Sequence, residues 1–302
     1  MKQANRNAPL CTLFSLLLAL SLLLLAPPSQ AEERLTIGLL PEMNVFKQKQ
    51  RFEPLAVYLS EKFKIKVELT ILSRYGNIIE RFKNSNIDAA FLGSFTGALA
   101  ISQLQVEPIV RPVNADKAST YCGYIFVRKD SGIQSAAEMR GKRFAFVDKA
   151  TTAGYIFPLA FLKRNQVSNI DDFLQSYSFT GSHDAAIESV LSGKADIGAA
   201  KNTIYEFVRK ENPRIDKELT ILVTSPRVPS NGLCVRHDMA PATKERLRQE
   251  LLSLHQNSHG REILTSMGYL SFVLTTKEDY QPVFDLASEA GITLEGYNYS
   301  NQ

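Results

Sequence analysis

From residue 35 almost to the C-terminus, short apolar runs alternate with segments whose apolar positions recur every three or four residues. That alternation predicts α/β layers, in which amphipathic helices cover buried strands of a largely parallel sheet. Residues 35–40 read as a first strand, and Phe52, Leu55, Leu59 and Phe63 as one face of a helix. A second strand follows at 66–72, a short helix at Ile78, Ile79 and Phe82, and a third strand at 87–92. Further strands are expected at 121–128, 143–147, 219–224 and 233–236, and late helices at 244–254 and 261–267.

The pattern contains an internal echo. Ile79-Glu80 followed by Asp88-Ala89-Ala90 returns at one constant offset as Ile187-Glu188 followed by Asp196-Ile197-Gly198. Each copy reads as a helix, a tight polar turn and a buried strand; any α/β chain produces some short matches of this kind, so the echo is supporting evidence only. The cluster Pro226, Pro229, Asn231 and Gly232 breaks the later pattern, and Lys129-Asp130-Ser131-Gly132 is a natural turn. Two chain crossings, near Thr120 and near Ser230, would then join two lobes. The expected division is residues 32–120 with 231–302 in one α/β lobe and 121–230 in the other.

The first 31 residues change the picture of where the chain works. Lys2 and Arg6 precede an apolar stretch from Thr12 to Ala26, and small residues at Ser29 and Ala31 come before Glu32. This is the layout of a cleaved export signal, and Pro27 and Pro28 argue against an anchor helix. Cys11 precedes the apolar run, which disfavours a lipid-modified cysteine at the cleavage point. Without that leader the formal charge falls from +4 to +2, too small to suggest a nucleic-acid partner. The 271 residues that remain suffice for two apolar cores. They carry two cysteines, Cys122 and Cys234, whose pairing the sequence does not decide.

The most informative chemistry lies in Phe146-Val147-Asp148-Lys149-Ala150-Thr151-Thr152-Ala153-Gly154-Tyr155, an apolar strand that runs into hydroxyl and small residues at a helix start. Free backbone N–H groups and the helix dipole favour an anion there, and threonine hydroxyls add donors; ordinary N-capping by the same threonines is the plainer use of the motif. Gly93-Ser94-Phe95-Thr96-Gly97 and Gly181-Ser182-His183-Asp184 are similar corners, so three helix starts could close around one anion. His183 adds a donor whose protonation could follow the ligand's charge. No phosphate-loop motif, G-x-S-x-G elbow or H-E-x-x-H helix occurs, which leaves no legible catalytic apparatus and no call for a cofactor. His255 and His259 have helical metal spacing but lack a third ligand.

Taken together, Tyr121 through Val127 with Arg128-Lys129-Asp130-Ser131-Gly132-Ile133, Gly141-Lys142-Arg143, Thr151-Thr152-Ala153-Gly154-Tyr155 with Phe157-Pro158, Gly181-Ser182-His183-Asp184-Ala185, Ala195-Asp196-Ile197-Gly198 and Ser225-Pro226 carry a resemblance. The chain resembles the periplasmic phosphonate, phosphite and phosphate-binding proteins of ABC transporters, the PhnD-like family, over nearly all of its length after the leader. The resemblance implies a bilobal periplasmic-binding-protein fold with a two-crossing hinge that closes on a small oxyanion, and a non-enzymatic role. It implies that Thr151, Thr152 and His183 hold the oxyanion and that Tyr75 reaches it from the first lobe. Ser94, Tyr121 and Asn202 complete the expected ligand set.

Several residues depart from the family's pattern. Gly123 stands where a serine is frequent, Ala153 where a third hydroxyl is frequent, and Thr203 and Asn231 near positions that carry carboxylates in members accepting aminoalkyl phosphonates. A simpler anion is therefore expected. Cys122, beside Tyr121, opens an alternative: a periplasmic sensor of arsenite or a related arsenic oxyanion, with Cys122 as the arsenic ligand. The partner implied is a membrane ABC permease, or for the sensor a membrane histidine kinase, with the receptor acting as a monomer.

Overall fold

The computed structural model describes residues 34–84 and 87–300; the expected export signal at 1–31 lies outside them. Described elements begin with β1 (Arg34–Leu39), α1 (Val45–Phe63), β2 (Lys66–Ile71), α2 (Asn77–Lys83), β3 (Ala89–Leu92), α3 (Ser94–Leu104), β4 (Glu107–Asn114) and the short β5 (Thr120–Tyr121). Next come β6 (Gly123–Arg128), β7 (Arg143–Phe146), a π-helical turn (Thr152–Ile156), α4 (Phe157–Arg164), α5 (Ile170–Phe173), β8 (Ser176–Phe179) and α6 (His183–Leu191). They are followed by β9 (Ile197–Lys201), α7 (Asn202–Glu211), α8 (Arg214–Glu218), β10 (Leu219–Thr224), β11 (Val228–Pro229) and β12 (Gly232–Val235). The chain ends with α9 (Pro241–Ser253), α10 (Ser258–Met267), β13 (Tyr269–Leu274) and α11 (Gln281–Glu289).

The strands form a six-stranded sheet of order β13-β4-β12-β3-β1-β2 and a five-stranded sheet of order β10-β6-β9-β7-β8. β5 and β11 pair antiparallel as a separate two-stranded ribbon, Tyr121 opposite Val228 and Thr120 opposite Pro229. These are the two chain segments that pass between the sheets, bonded to each other. The architecture is bilobal α/β. The sheets are mixed rather than largely parallel: β1–β3, β7–β8 and β7–β9 are parallel, whereas β12 runs antiparallel to β3 and β4, and β6 antiparallel to β9 and β10. β12 enters the first sheet on its way back from the second, so it arrives with reversed direction.

The echo has a physical cause. Asp88, just before β3, accepts a hydrogen bond from Thr36 N at 2.8 Å and donates its own N–H to Thr36 O at 2.9 Å. Asp196, just before β9, does the same with Arg143, at 2.9 and 3.0 Å. In both sheets an aspartate fastens the start of one parallel strand to the start of its neighbour, satisfying a backbone donor at the sheet edge that the ladder leaves free. The strands then continue in matching register, Ile37 beside Ala89 and Phe144 beside Ile197.

Four described strands escape the sequence pattern, one of them the two-residue β11. β4 contains Pro108 and Pro112, which read as breakers; it lies between β12 and β13 with a register shift at Leu233/Cys234. β8 is too exposed to alternate clearly, and β13 follows Gly268, whose positive φ of 75° caps α10. The expected run at 121–128 is split at Cys122, because Asn202 takes over both of that residue's backbone groups: Cys122 N donates to Asn202 Oδ1 at 3.1 Å and Asn202 N to Cys122 O at 2.9 Å.

One apolar core reaches from Ile78, Ile79, Phe82 and Phe95 to Phe126, Phe144, Phe146 and Val190, and a second packs Phe52, Leu55, Leu59, Leu247 and Met267 on the other face of the first sheet. Gly198 is part of the first: a Cβ there would lie 2.7 Å from the Phe126 ring and from Val190. Cross-cleft contacts hold the facing edges together. Asn44, the N-cap of α1, donates its N–H to Asp184 Oδ2 at 2.9 Å, and Lys47 pairs with Glu211 at 2.7 Å.

Candidate functional site

Residues at the C-terminal ends of β1, β3, β7 and β9 converge on one point, joined there by Tyr121 of β5 and by Asn231 just before β12. Crevices outside the carboxyl ends of strands are the usual place for ligands in α/β sheets. Here the crevice is a small cavity of about 10 Å³ lined by Glu42, Tyr75, Gly93, Thr96, Tyr121, Thr152, His183 and Lys201 among others.

Two helix starts face this cavity without a side-chain cap. α3 begins after Gly93, and the π turn after Thr151. The first-turn N–H groups of a helix have no partner within it, so both ends present donors and a positive dipole end to an anion. The π turn is defined by Ile156 N bonding back to Thr151 O at 3.1 Å. Gly154 makes it possible: a Cβ there would lie 2.4 Å from Val147 Cβ and 2.7 Å from Thr151 Oγ1. Gly123 packs on Ala153 in the same way, a Cβ there falling 3.1 Å from that of Ala153 and 2.9 Å from the Phe157 ring, so position 123 has no space for a hydroxyl-bearing side chain.

The hydroxyls divide into spent and available ones. Thr151 Oγ1 donates to Asp148 O at 2.6 Å, so it serves the turn, and the expectation of two free threonine donors is reduced to one. Thr152 Oγ1 lies 2.7 Å from Ser94 Oγ, which in turn lies 2.6 Å from Tyr121 OH, a chain of three hydroxyls from three separate elements. Tyr75 is buried and its hydroxyl has no hydrogen-bond partner among the described residues. An orphaned buried hydroxyl destabilises the fold by about 1–3 kcal/mol, which marks this group as a donor kept for something else.

His183 begins α6, but its N–H donates to Glu42 O at 3.1 Å, and Ser182 caps the helix by accepting from Ala185 N. The third helix start is therefore closed, and the imidazole takes its place. Its Nδ1 accepts from Lys201 N at 3.2 Å, which fixes the proton on Nε2. Burial, with the Lys201 charge adding to it, pushes the imidazole down to about 4, so that it is neutral near pH 7 and offers one N–H. The ring meets Tyr75 edge to face at 6.1 Å.

Two lining residues, Glu42 and Lys201, belong to no motif in the sequence; the third, Asn231, is the neutral residue near a position where aminoalkyl-accepting members carry a carboxylate. Lys201 Nζ lies 2.8 Å from Glu42 Oε1 and 2.8 Å from Asn231 Oδ1, and 4.6 Å above the centre of the Tyr121 ring. Two acceptors and a π face are the surroundings of an ammonium. Burial, the largest single influence, works to raise the Glu42 carboxyl, but the Lys201 charge and hydrogen bond together with the other nearby cationic groups outweigh it, and the net shift is downward. The one available hint was position: Lys201 ends the otherwise apolar β9, at the carboxyl edge of its sheet.

Two expected residues stand apart. Asn202 is turned toward Cys122 N and lines a neighbouring cleft of about 390 Å³ together with Glu42, Asn114, Lys201, Thr203, Phe207, Asn231 and Tyr269. Cys122 lines neither cavity. Its thiol is raised chiefly by burial, against a lowering hydrogen bond with Tyr124, and both Cys122 and Cys234 are free. No disulfide links them. Among the described residues no cluster of three or more His, Cys, Asp or Glu side chains could hold a metal ion.

Residues 37–280 match the family described as "ABC transporter, phosphonate, periplasmic substrate-binding protein". The chain is 21% identical over 274 residues to the phosphonates-binding periplasmic protein of Escherichia coli, covering 88% of this chain and 80% of that one. It is 24% identical over 264 residues to a probable ABC transporter phosphite binding protein of Prochlorococcus marinus, covering 83% and 88%. Among solved structures it superposes on a binding protein component of an ABC phosphonate transporter from Pseudomonas aeruginosa with a TM-score of 0.80, at 20% identity over 86% of this chain and 87% of that one. On the Prochlorococcus marinus protein in complex with methylphosphonate the TM-score is 0.78, at 21% identity over 87% and 100%. The chain belongs to the family of periplasmic substrate-binding proteins of phosphonate-type ABC transporters.

Proposed function

We propose that this chain is an exported receptor that closes residues 32–120 and 231–302 against residues 121–230 around a compact phosphorus oxyanion, such as phosphite, phosphate or methylphosphonate, and presents the closed form to an ABC permease. The observation that carries this reading is the unpartnered Tyr75 hydroxyl, set beside two uncapped helix starts, the His183 Nε2–H and the Ser94–Thr152–Tyr121 hydroxyls. Donors of this kind surround a tetrahedral anion on several sides, and in a water-excluded cavity each bond is stronger than in solvent. Opening the Ser94–Thr152 contact gives the anion its space, and its oxygens then replace that contact. The ligand selects the closed population because only that form brings both sets of donors together.

The reading includes removal of the leader near Ala31, a periplasmic location, a monomeric receptor and no turnover of the ligand. It favours a permease over a histidine kinase as partner, since the family's members serve transporters. The arsenic-sensing alternative has no support from the placement of Cys122, which is separated from the donors. Calorimetric titration of protein purified from the periplasm against phosphite, phosphate, methylphosphonate, sulfate and arsenite tests the reading. Binding of a phosphorus oxyanion that Thr152→Ala weakens supports it; binding of arsenite alone, lost in Cys122→Ser, refutes it.

A further inference from the structure

The Lys201–Glu42–Asn231 cluster forms the wall between the anion cradle and the 390 Å³ cleft, since these three side chains line both cavities. It joins Glu42, just after β1, to the end of β9 in the other sheet, and both charged side chains are nearly inaccessible, at 7% and 6% exposure. An organic substituent on a bound oxyanion that reached toward the larger cleft would meet this wall first. A cationic substituent would find a carboxylate there, Glu42, with an ammonium already on it.

We propose that Lys201 is a specificity-determining residue: its ammonium occupies from within the chain the place that an amino substituent of a ligand would take on Glu42, so that the receptor selects compact oxyanions and rejects aminoalkyl ones. This rests on the oxyanion reading of the cavity. Three features make the occupancy persistent. Asn231 Oδ1 and the Tyr121 face hold the ammonium from two further directions. The lysine backbone is fixed in turn, its N–H donating to His183 Nδ1. An incoming ammonium would have to displace Lys201 and leave it buried beside a like charge, which is strongly unfavourable.

Specificity is a difference of affinities, so the test compares ligands within one protein. Titrations of the wild-type protein should show methylphosphonate bound at least about 100-fold more tightly than 2-aminoethylphosphonate, the penalty expected of a like charge at close range. In Lys201→Met the carboxylate is released, and 2-aminoethylphosphonate should gain at least about tenfold while n-propylphosphonate, of similar size and uncharged, gains no more than about threefold. In the double variant Glu42→Gln/Lys201→Met, which buries no charge at this point, the preference for the amino ligand should vanish. Equal binding of methylphosphonate and 2-aminoethylphosphonate by the wild type overturns the proposal, as does a gain in Lys201→Met that is equal for both larger ligands or that survives in the double variant. Should Lys201→Met fail to fold, the wild-type ranking decides alone. A wild-type protein that binds phosphite and methylphosphonate but shows no such ranking sinks only this proposal, whereas one that binds no oxyanion removes the underlying reading and the proposal with it.

Discussion

Ser94 and Thr152 touch hydroxyl to hydroxyl at 2.7 Å, one from the helix that follows β3 and the other from the turn that follows β7. Their contact ties the carboxyl edges of the two sheets together at the place where an anion would enter. Ligand oxygens would substitute for this bond rather than add to it, so each hydroxyl should matter more to binding than to stability. Thr152→Ala is expected to weaken oxyanion binding by about 10–100-fold, one to two lost charge-assisted hydrogen bonds, with little change in the thermal midpoint. Titration calorimetry beside a melting curve measures both; a large fall in the midpoint with unchanged affinity would contradict it.

Tyr75→Phe provides the opposite signature. Removing a buried hydroxyl that has no partner should stabilise the ligand-free protein by about 1–3 kcal/mol, while the affinity for oxyanion falls. Denaturant unfolding with and without ligand reads both numbers. A variant that loses stability and keeps its affinity would show that the Tyr75 hydroxyl is not a ligand donor.

His183 gives stability a defined pH dependence. Its folded pKa, pushed down to about 4, lies below the ordinary histidine value of 6.5. Between those values the unfolded chain binds more protons than the folded one, so stability rises with pH across the window and is lost as pH falls from about 6.5 toward 4. The full difference is up to roughly 3 kcal/mol. Unfolding free energies of the wild type and His183→Gln between pH 4 and 7 should converge at the acid end; parallel curves would place the acid sensitivity elsewhere.

The two thiols are predicted to be silent. Cys234 is pushed up to about 12 by burial, and its sulfur lies 3.9 Å from Tyr280 OH. Neither cysteine should react with iodoacetamide in the native protein, and reductant should leave the thermal midpoint unchanged. Cys122→Ser should keep oxyanion affinity within about twofold, as expected of a side chain with no contact to the ligand. Rapid labelling of native protein would disprove the burial of both.

Much of the fold was legible because it is written locally. The strands at 66–72 and 219–224 and the helices around Phe52–Phe63 and 261–267 follow from periodicity alone, and the Asp88 and Asp196 echo turns out to be one backbone-fastening device used twice. That Thr152, Tyr121 and His183 line one cavity accords with the motifs that carry the resemblance, and Tyr75 lines it too, from a position the resemblance alone indicates. What sequence reading missed is long-range. Glu42 and Lys201 are 159 positions apart, and a lysine or glutamate taken singly reads as solvated surface. Thr151 was overcounted as a donor because nothing in its neighbours reveals that its proton goes to Asp148 O. Asn202 was misplaced for a related reason: its amide is consumed in ending a strand at Cys122.

Tyr121 belongs to two machines at once. Its backbone is one half of the ribbon with Val228 about which the lobes would turn, and its hydroxyl is one end of the chain that runs through Ser94 to Thr152. An anion that took hold of that chain, as proposed, would therefore grip the axle itself, one side chain away from the pivot. Loading and bending would become a single mechanical event, and the signal offered to a permease would originate at the pivot instead of being relayed through the body of either lobe.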